Sequence, residues 1–261
     1  MKKIGLISLL CLLISACVSN TSVRQHQDYA DIAKEVSTVV IIPPDVDIEL
    51  VAFDGDNEEL TEDQLLIAAE ITAQAKGKLK SEGLTVIDFD IAGEMLADEE
   101  FAYAVTQCTE AWNAAKQELY VTGFVSEEKK SSFQTSMGPV ANAIAEKTGA
   151  DSMLLMHFQG AKKSAGMIAK DVGTSVLVGV LTMGAVIPVQ NTEGATLDIA
   201  LVETAGGRLI WSNRKALPQV SSALAGHALQ ELPDVTWKNE LAAPGPDATN
   251  GEMPPEVKTL Q

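Results

Sequence analysis

Three cysteines and three histidines are the side chains of this sequence best suited to covalent or metal chemistry, and their spacing limits what they can do together. Cys11 lies inside the apolar run Ile4 to Ile14, Cys17 stands just after it behind Ser15 and Ala16, and Cys108 is isolated. His26, His157 and His227 lie far outside the three- to five-residue spacing that brings two imidazoles to one zinc, there is no H-E-x-x-H, and no cysteine pair completes a site. His157 sits between Met156 and Phe158, so in a strand it points away from both, as a surface or hydrogen-bonded sheet histidine does. Asp54, Asp56 and Glu58 imitate the first three ligands of a calcium loop. The sixth position, however, is Glu59 instead of glycine and the twelfth is Leu65 instead of glutamate, so a solvated acidic loop is expected. No serine stands in G-x-S-x-G, and neither G-x-G-x-x-G nor a Walker loop is present, so acyl transfer and nucleotide binding have no local motif. The expectation is a non-enzymatic protein without metal or cofactor.

The elements that would carry these residues alternate between strand and helix. Val36-Ser37-Thr38-Val39-Val40-Ile41-Ile42 is β-branched almost throughout, is stopped by Pro43-Pro44, and is apolar on both faces, as a central strand covered by helices must be. A second extended piece runs from Val46 to Phe53. Thr61-Glu62-Asp63-Gln64 has the spacing of a capping box and opens a helix to about Lys80, with Leu65, Ala68, Ala69, Thr72, Ala75 and Leu79 on its apolar side and Gly83 beyond its end. Leu84 to Phe89 returns as a strand beside or near the first. A helix from about Asp98 to Leu119 carries Phe101, Val105, Cys108, Trp112, Ala115 and Leu119 at spacings of three and four, which makes Cys108 a buried small hydrophobe. After a solvated loop at 126–132, Ser136 caps and Pro139 opens a helix closed by Lys147 and Gly149, and Ser152 to Phe158 is again a strand. Ala195 to Glu203 alternates, Thr204-Ala205-Gly206-Gly207 turns, and Arg208 to Asn213 returns as an antiparallel hairpin. A helix after Pro218 runs toward Leu232. This order predicts one α/β domain at 36–240, a mixed sheet in two or three layers with flanking helices and a C-terminal antiparallel β-hairpin, followed by a proline-rich disordered tail at 241–261.

Met1-Lys2-Lys3, the apolar run and the small residues before Cys17 have the parts of a signal peptide over 1–16. Its removal takes away Lys2 and Lys3 and no acids, which moves the formal charge from −17 to −19. A surface that acidic is repelled by nucleic acid and anionic membranes alike, so membrane attachment has to come from another source. With Cys11 removed, Cys17 at the new end and Cys108 are the cysteines that remain, and stability rests on the core. Residues 17–35 are polar and aperiodic, as suits a tether. The uncharged stretch Val172 to Val189 touches the length of a membrane span, while Gly173, Gly179 and Gly184 weaken it as a helix. A buried or surface-packed segment is the first expectation for it, a membrane-inserting or oligomer-forming one the second, and a spanning helix the third.

Ile14-Ser15-Ala16-Cys17 resembles the bacterial lipobox. The resemblance implies cleavage before Cys17, its modification with diacylglycerol and palmitate, and, because Val18 follows where aspartate would favour the inner membrane, a place on the periplasmic face of the outer membrane. Two or three acyl chains, at roughly 0.8 kcal/mol per buried methylene, would hold the protein there. The folded part resembles the periplasmic lipoproteins related to the curli-secretion channel lipoprotein and the amino-terminal domain of TolB. The residues concerned are Val39-Val40-Ile41-Ile42-Pro43-Pro44, Thr148-Gly149-Ala150-Asp151 leading into Leu154 to Phe158, and Leu201-Val202-Glu203 through Gly207-Arg208-Leu209-Ile210-Trp211. In that group these pieces are structural, so no catalytic residue transfers. The hydrophobic insert here is also glycine-rich and single, without two amphipathic strands to pair into a barrel. The reading is a lipid-anchored binding or envelope-assembly module with a periplasmic or outer-membrane protein partner and no nucleic acid, with self-association through Val172 to Val189 as a further expectation. The alternatives are a component of a secretion or export pore, and a small-ligand carrier or enzyme with a site of scattered residues.

Overall fold

A computed structural model describes residues 20–52, 58–164 and 192–232. The segment read as a signal peptide (1–16), Cys17, Asp54 and Asp56, the stretch Val172 to Val189 and the segment read as a disordered tail (241–261) lie outside the described residues. In chain order the strands are β1 (Asn20–Thr21), β2 (Arg24–Gln25), β3 (Thr38–Ile41), β4 (Asp45–Val51), β5 (Glu58–Glu59), β6 (Thr85–Val86), β7 (Val125–Ser126), β8 (Ser152–Lys163), β9 (Glu193–Glu203) and β10 (Leu209–Leu217). The helices are α1 (Tyr29–Glu35), α2 (Thr61–Ser81), α3 (Ile91–Ala97), α4 (Glu99–Leu119), α5 (Asn142–Thr148) and α6 (Ala223–Leu229).

Eight strands form one mixed sheet in the order β2-β10-β9-β8-β3-β6, with β4 also along β8 and β5 along β4. The predicted hairpin is β9 and β10, antiparallel from Ala195↔Leu217 to Val202↔Leu209. β8 extends the hairpin antiparallel on one side and takes β3 and β4 in parallel on the other. Alternation along these strands divides the core in two. Val39, Leu154, Met156, Phe158, Leu197, Ile199 and Leu201 pack under α1, α2 and α6, whereas Val40, Met153, Leu155, Ala200 and Val202 pack under α3, α4 and α5. The sheet is therefore the middle of three layers. Each fully buried Leu, Ile or Phe contributes roughly 1.5–3 kcal/mol relative to exposure, and Val39 and Val40 facing opposite cores is what the two-sided apolar run of β3 requires.

Two bulges adjust this pattern. From Ile41↔Leu154 to Asp45↔His157 the β3–β4 edge advances four residues while β8 advances three, and the extra position falls in Ile42-Pro43-Pro44. Proline has no amide to donate, so the pair that ends β3 is accommodated where the ladder is interrupted. In β10, Leu209 pairs with Val202 and Trp211 with Leu201, two steps against one. Ile210 and Trp211 consequently lie in the same core, beside α6, while Leu209 lies in the other.

Several expectations are corrected. The stretch read as a tether packs from residue 20 onward: Ser22, Val23, Arg24, Gln25 and His26 are buried, β2 adds to the edge of β10, and α1 covers the sheet with Ile32 and Val36. Its polar side chains are consumed by hydrogen bonds, several of them to residues distant in sequence, as in Ser131 Oγ to Gln25 Oε1 at 2.6 Å and Arg24 Nε to Leu119 O at 2.9 Å, which a search for apolar periodicity does not register. In α2 the buried side is Ile67, Ile71, Ala75 and Leu79, and Leu65 is exposed. Leu60 stands at the N-cap and Thr61 is the first helical residue, so the capping box does not form. α3 was not expected; it starts at Asp90, whose carboxylate accepts from the Gly93 amide. Asp98 does the same for Phe101 at the start of α4.

Candidate functional site

The polar groups of the sheet converge on one transverse row. Asp45, His157, Asp198 and Arg214 are register partners across β4, β8, β9 and β10. All four lie on the α4 face, and Lys116 from the last turns of α4 reaches over the row. Arg214 clasps Asp198 with two parallel hydrogen bonds, Nε at 2.5 Å and Nη2 at 2.9 Å, and Lys116 Nζ stands 3.6 Å from Asp198 Oδ2. Asp45 Oδ2 is 2.9 Å from His157 Nδ1, an ion-pair distance without an aligned N–H. The β10 bulge produces this meeting, because it returns Ser212 and Arg214 to the α4 face after Trp211 has gone to the other.

Burial and charge act in opposite directions within the row. Burial pushes the Lys116 ammonium below its usual pKa and Asp198 partly restores it, while His157 holds the Asp45 carboxyl below the ordinary carboxylate value. At the side, Tyr120 Oη and Ser212 Oγ are 2.7 Å apart, the Tyr120 ring lies 4.3 Å from the Arg214 guanidinium and 4.9 Å from that of Arg24, and burial raises the phenol's pKa. Arg24 is fully buried and donates to Leu119 O, Thr21 O, Val23 O and Gly123 O, closing the C-terminal end of α4 with a cation where the helix dipole is negative. Chemically the assembly is a charge-compensated strut between sheet and helix.

The second feature is a groove of about 450 Å³ between α4 and the turn into α5. Phe101, Ala104, Pro139, Val140 and Ala143 line it with carbon, and Asp98, Glu100 and Glu146 rim it with acids. Its one lysine, Lys147, is engaged by Asp98 at 2.9 Å and Glu94 at 2.5 Å, hydrogen bonds that raise its pKa. Tyr103 on the rim and Leu96 nearby in α3 are exposed.

The residues singled out in the sequence are scattered. Cys17 lies outside the described residues. His26 is buried at the edge strand, where Nδ1 accepts from the Asp28 amide; His157 is in the charged row; His227 is exposed on α6. Glu58 and Glu59 form β5 instead of a loop. Among the described residues no three His, Cys, Asp or Glu side chains are grouped to hold a metal, and no helix is long and apolar enough to cross a membrane. The row itself was missed in the sequence. Its signal is an acid at 198 on the same strand parity as the core residues Ala200 and Val202, and a lysine at 116 one helical turn after Trp112.

Cys108 occupies its place in the α4 stripe with no exposed surface, and burial pushes its thiol up to about 12 from 9.0. The unfolded chain releases that proton near pH 9 and the folded chain does not. Its contribution to stability is therefore complete below pH 9 and is lost as the pH rises toward 12, at up to about 1.4 kcal/mol per pH unit. Urea midpoints at pH 8, 9 and 10 should fall more steeply for the wild type than for Cys108→Ala; equal slopes would contradict a buried, proton-retaining thiol.

No family model and no curated protein matches the chain. Among solved structures it is similar to lipoprotein GNA1162 from Neisseria meningitidis, at 12% identity over 79% of this chain and 97% of that one, with a TM-score of 0.30. It is also similar to the LpoB C-terminal domain from Salmonella enterica, at 15% identity over 75% and 96% with a TM-score of 0.27. A third similarity is to a DUF4136 family protein from Bacteroides thetaiotaomicron, at 10% identity over 84% and 93% with a TM-score of 0.24.

Proposed function

We propose that this chain is a bacterial lipoprotein, acylated on Cys17 and held at the periplasmic face of the outer membrane, whose α/β body serves envelope assembly by protein contact without catalysis. The observation that carries the reading is Ile14-Ser15-Ala16-Cys17 placed at the end of an apolar run that follows two lysines. The packing of the body agrees with it: the charged groups of the transverse row are tied to one another as a strut, and the described surface offers a carbon-lined groove with an acidic rim. That groove suits a cationic amphipathic segment of a protein partner, with Tyr103 as an aromatic contact.

The test is Cys17→Ser in cells fed labelled palmitate, with a photocrosslinker at position 103. The wild type should take up label, fractionate with the outer membrane and give a discrete adduct; the variant should lose label, membrane fractionation and adduct together. A variant that is still processed at the same point and still fractionates with the envelope would sink the anchor.

A further inference from the structure

The packed body begins only three residues beyond the residue proposed to carry lipid. Cys17 is three residues from Asn20, a span of at most about 11 Å. Asn20 and Thr21 are already paired with Ser126 and Val125 of β7. Thr21 is buried, and Arg24 binds Thr21 O at 3.2 Å and Gly123 O at 2.9 Å, so the turn immediately before β7 is fastened to the same point. That turn is Val121-Thr122-Gly123-Phe124, kept tight by Gly123 N–H donating to Tyr120 O at 3.0 Å with Gly123 at φ +67°. Its two apolar side chains face solvent, Val121 with 80% and Phe124 with 55% of its surface exposed. Adding one strand spacing and two residues along β7, chain length alone limits the separation of Phe124 and Cys17 to about 22 Å.

We infer that the body docks directly on the phospholipid surface, with Val121 and Phe124 entering the interface beside the acyl anchor. The inference rests on the lipidation of Cys17. A tether this short cannot carry the body clear of the headgroups, so whichever side bears Asn20 meets the bilayer, and the apolar turn is on that side. Although the whole chain is strongly acidic, the segment that follows the turn, Glu127-Glu128-Lys129-Lys130, sums to zero, and Glu127 pairs with Lys130 at 2.8 Å. The contact is thus apolar in nature and weakly dependent on salt, the geometry of an interfacial element that sinks its carbon side chains to the level of the headgroups.

The experiment uses the acylated full-length protein with Phe124→Cys or Val121→Cys carrying an environment-sensitive NBD label. Cys108 is buried and does not compete for the label. The protein is reconstituted into phosphatidylethanolamine–phosphatidylcholine vesicles, with Leu65→Cys, exposed on α2 on the opposite face of the sheet, as the reference site. Labels at 121 and 124 should shift to shorter wavelength and be quenched by nitroxide lipids, and the label at 65 should do neither. Intact mass before reconstitution reports the acyl chains. An acylated protein whose labels at 121 and 124 stay water-like overturns the docking alone, as does protection of these sites in cell envelopes but not in vesicles, which would indicate a protein partner there. A mass without acyl chains overturns the lipid anchor and the docking with it.

Discussion

Asp198→Ala should lower the free energy of unfolding by about 3–5 kcal/mol, the cost of removing one member of a buried ion group and depriving Arg214 and Lys116 of its carboxylate. The side chains of Asp198, Arg214 and Lys116 are only 8%, 12% and 9% exposed, so solvent cannot take over the role of the lost carboxylate. Arg214 already depresses the Lys116 pKa, and without Asp198 the two cations face each other across the row. Replacing ions by carbon tests the same idea from the other side: Asp198→Leu combined with Lys116→Met should be less damaging than Asp198→Ala alone, because one cation fewer is stranded. Urea unfolding of the three proteins measures both effects. A loss near zero for Asp198→Ala would mean that the pair is screened as a surface pair is, and the strut would have no role in stability.

Trp211→Ala should cost a similar amount, about 3–5 kcal/mol, since the indole has no exposed surface and truncation leaves a cavity between β10 and the helices of the first layer. The fall in melting temperature should be on the order of 10 °C for a domain of this size. Trp211→Phe should recover most of it. Among the described residues the indole Nε1 has no hydrogen-bond partner, so the phenyl ring gives up volume and no bond. Were Phe as damaging as Ala, the importance of Trp211 would lie in its N–H and not in its bulk.

Those parts of the fold that depend on local periodicity were legible in the sequence. The α4 stripe from Phe101 to Leu119 is buried residue for residue, the hairpin is in place, and the two-sided strand before Pro43 is covered on both faces. The parts that failed depend on contacts distant in sequence. Arg24 reads as a tether residue until it meets the carbonyl of Leu119, and Ser22 until its hydroxyl reaches Asn213 Oδ1 at 2.7 Å. Leu65 completes a plausible helical face, but α6 packs on the other one, where Gln74 accepts from the Gly226 amide. The charged row was invisible for a related reason. Its four members come from four strands, and simple alternation through Ile210 would have sent Arg214 toward the wrong layer.

That displaced step in β10 also divides the strand into two stretches of opposite phase. Ahead of it an odd-numbered side chain faces α4; past it the even-numbered ones do. A ladder that ran regularly through all of these residues would exchange inside for outside for everything downstream, turning an arginine into the aliphatic layer and Asn213 toward a carboxylate, whereas deleting Ile210 would remove the extra position and leave the downstream sides as they are. The chemical sidedness of this half of the molecule thus hinges on a count of one residue.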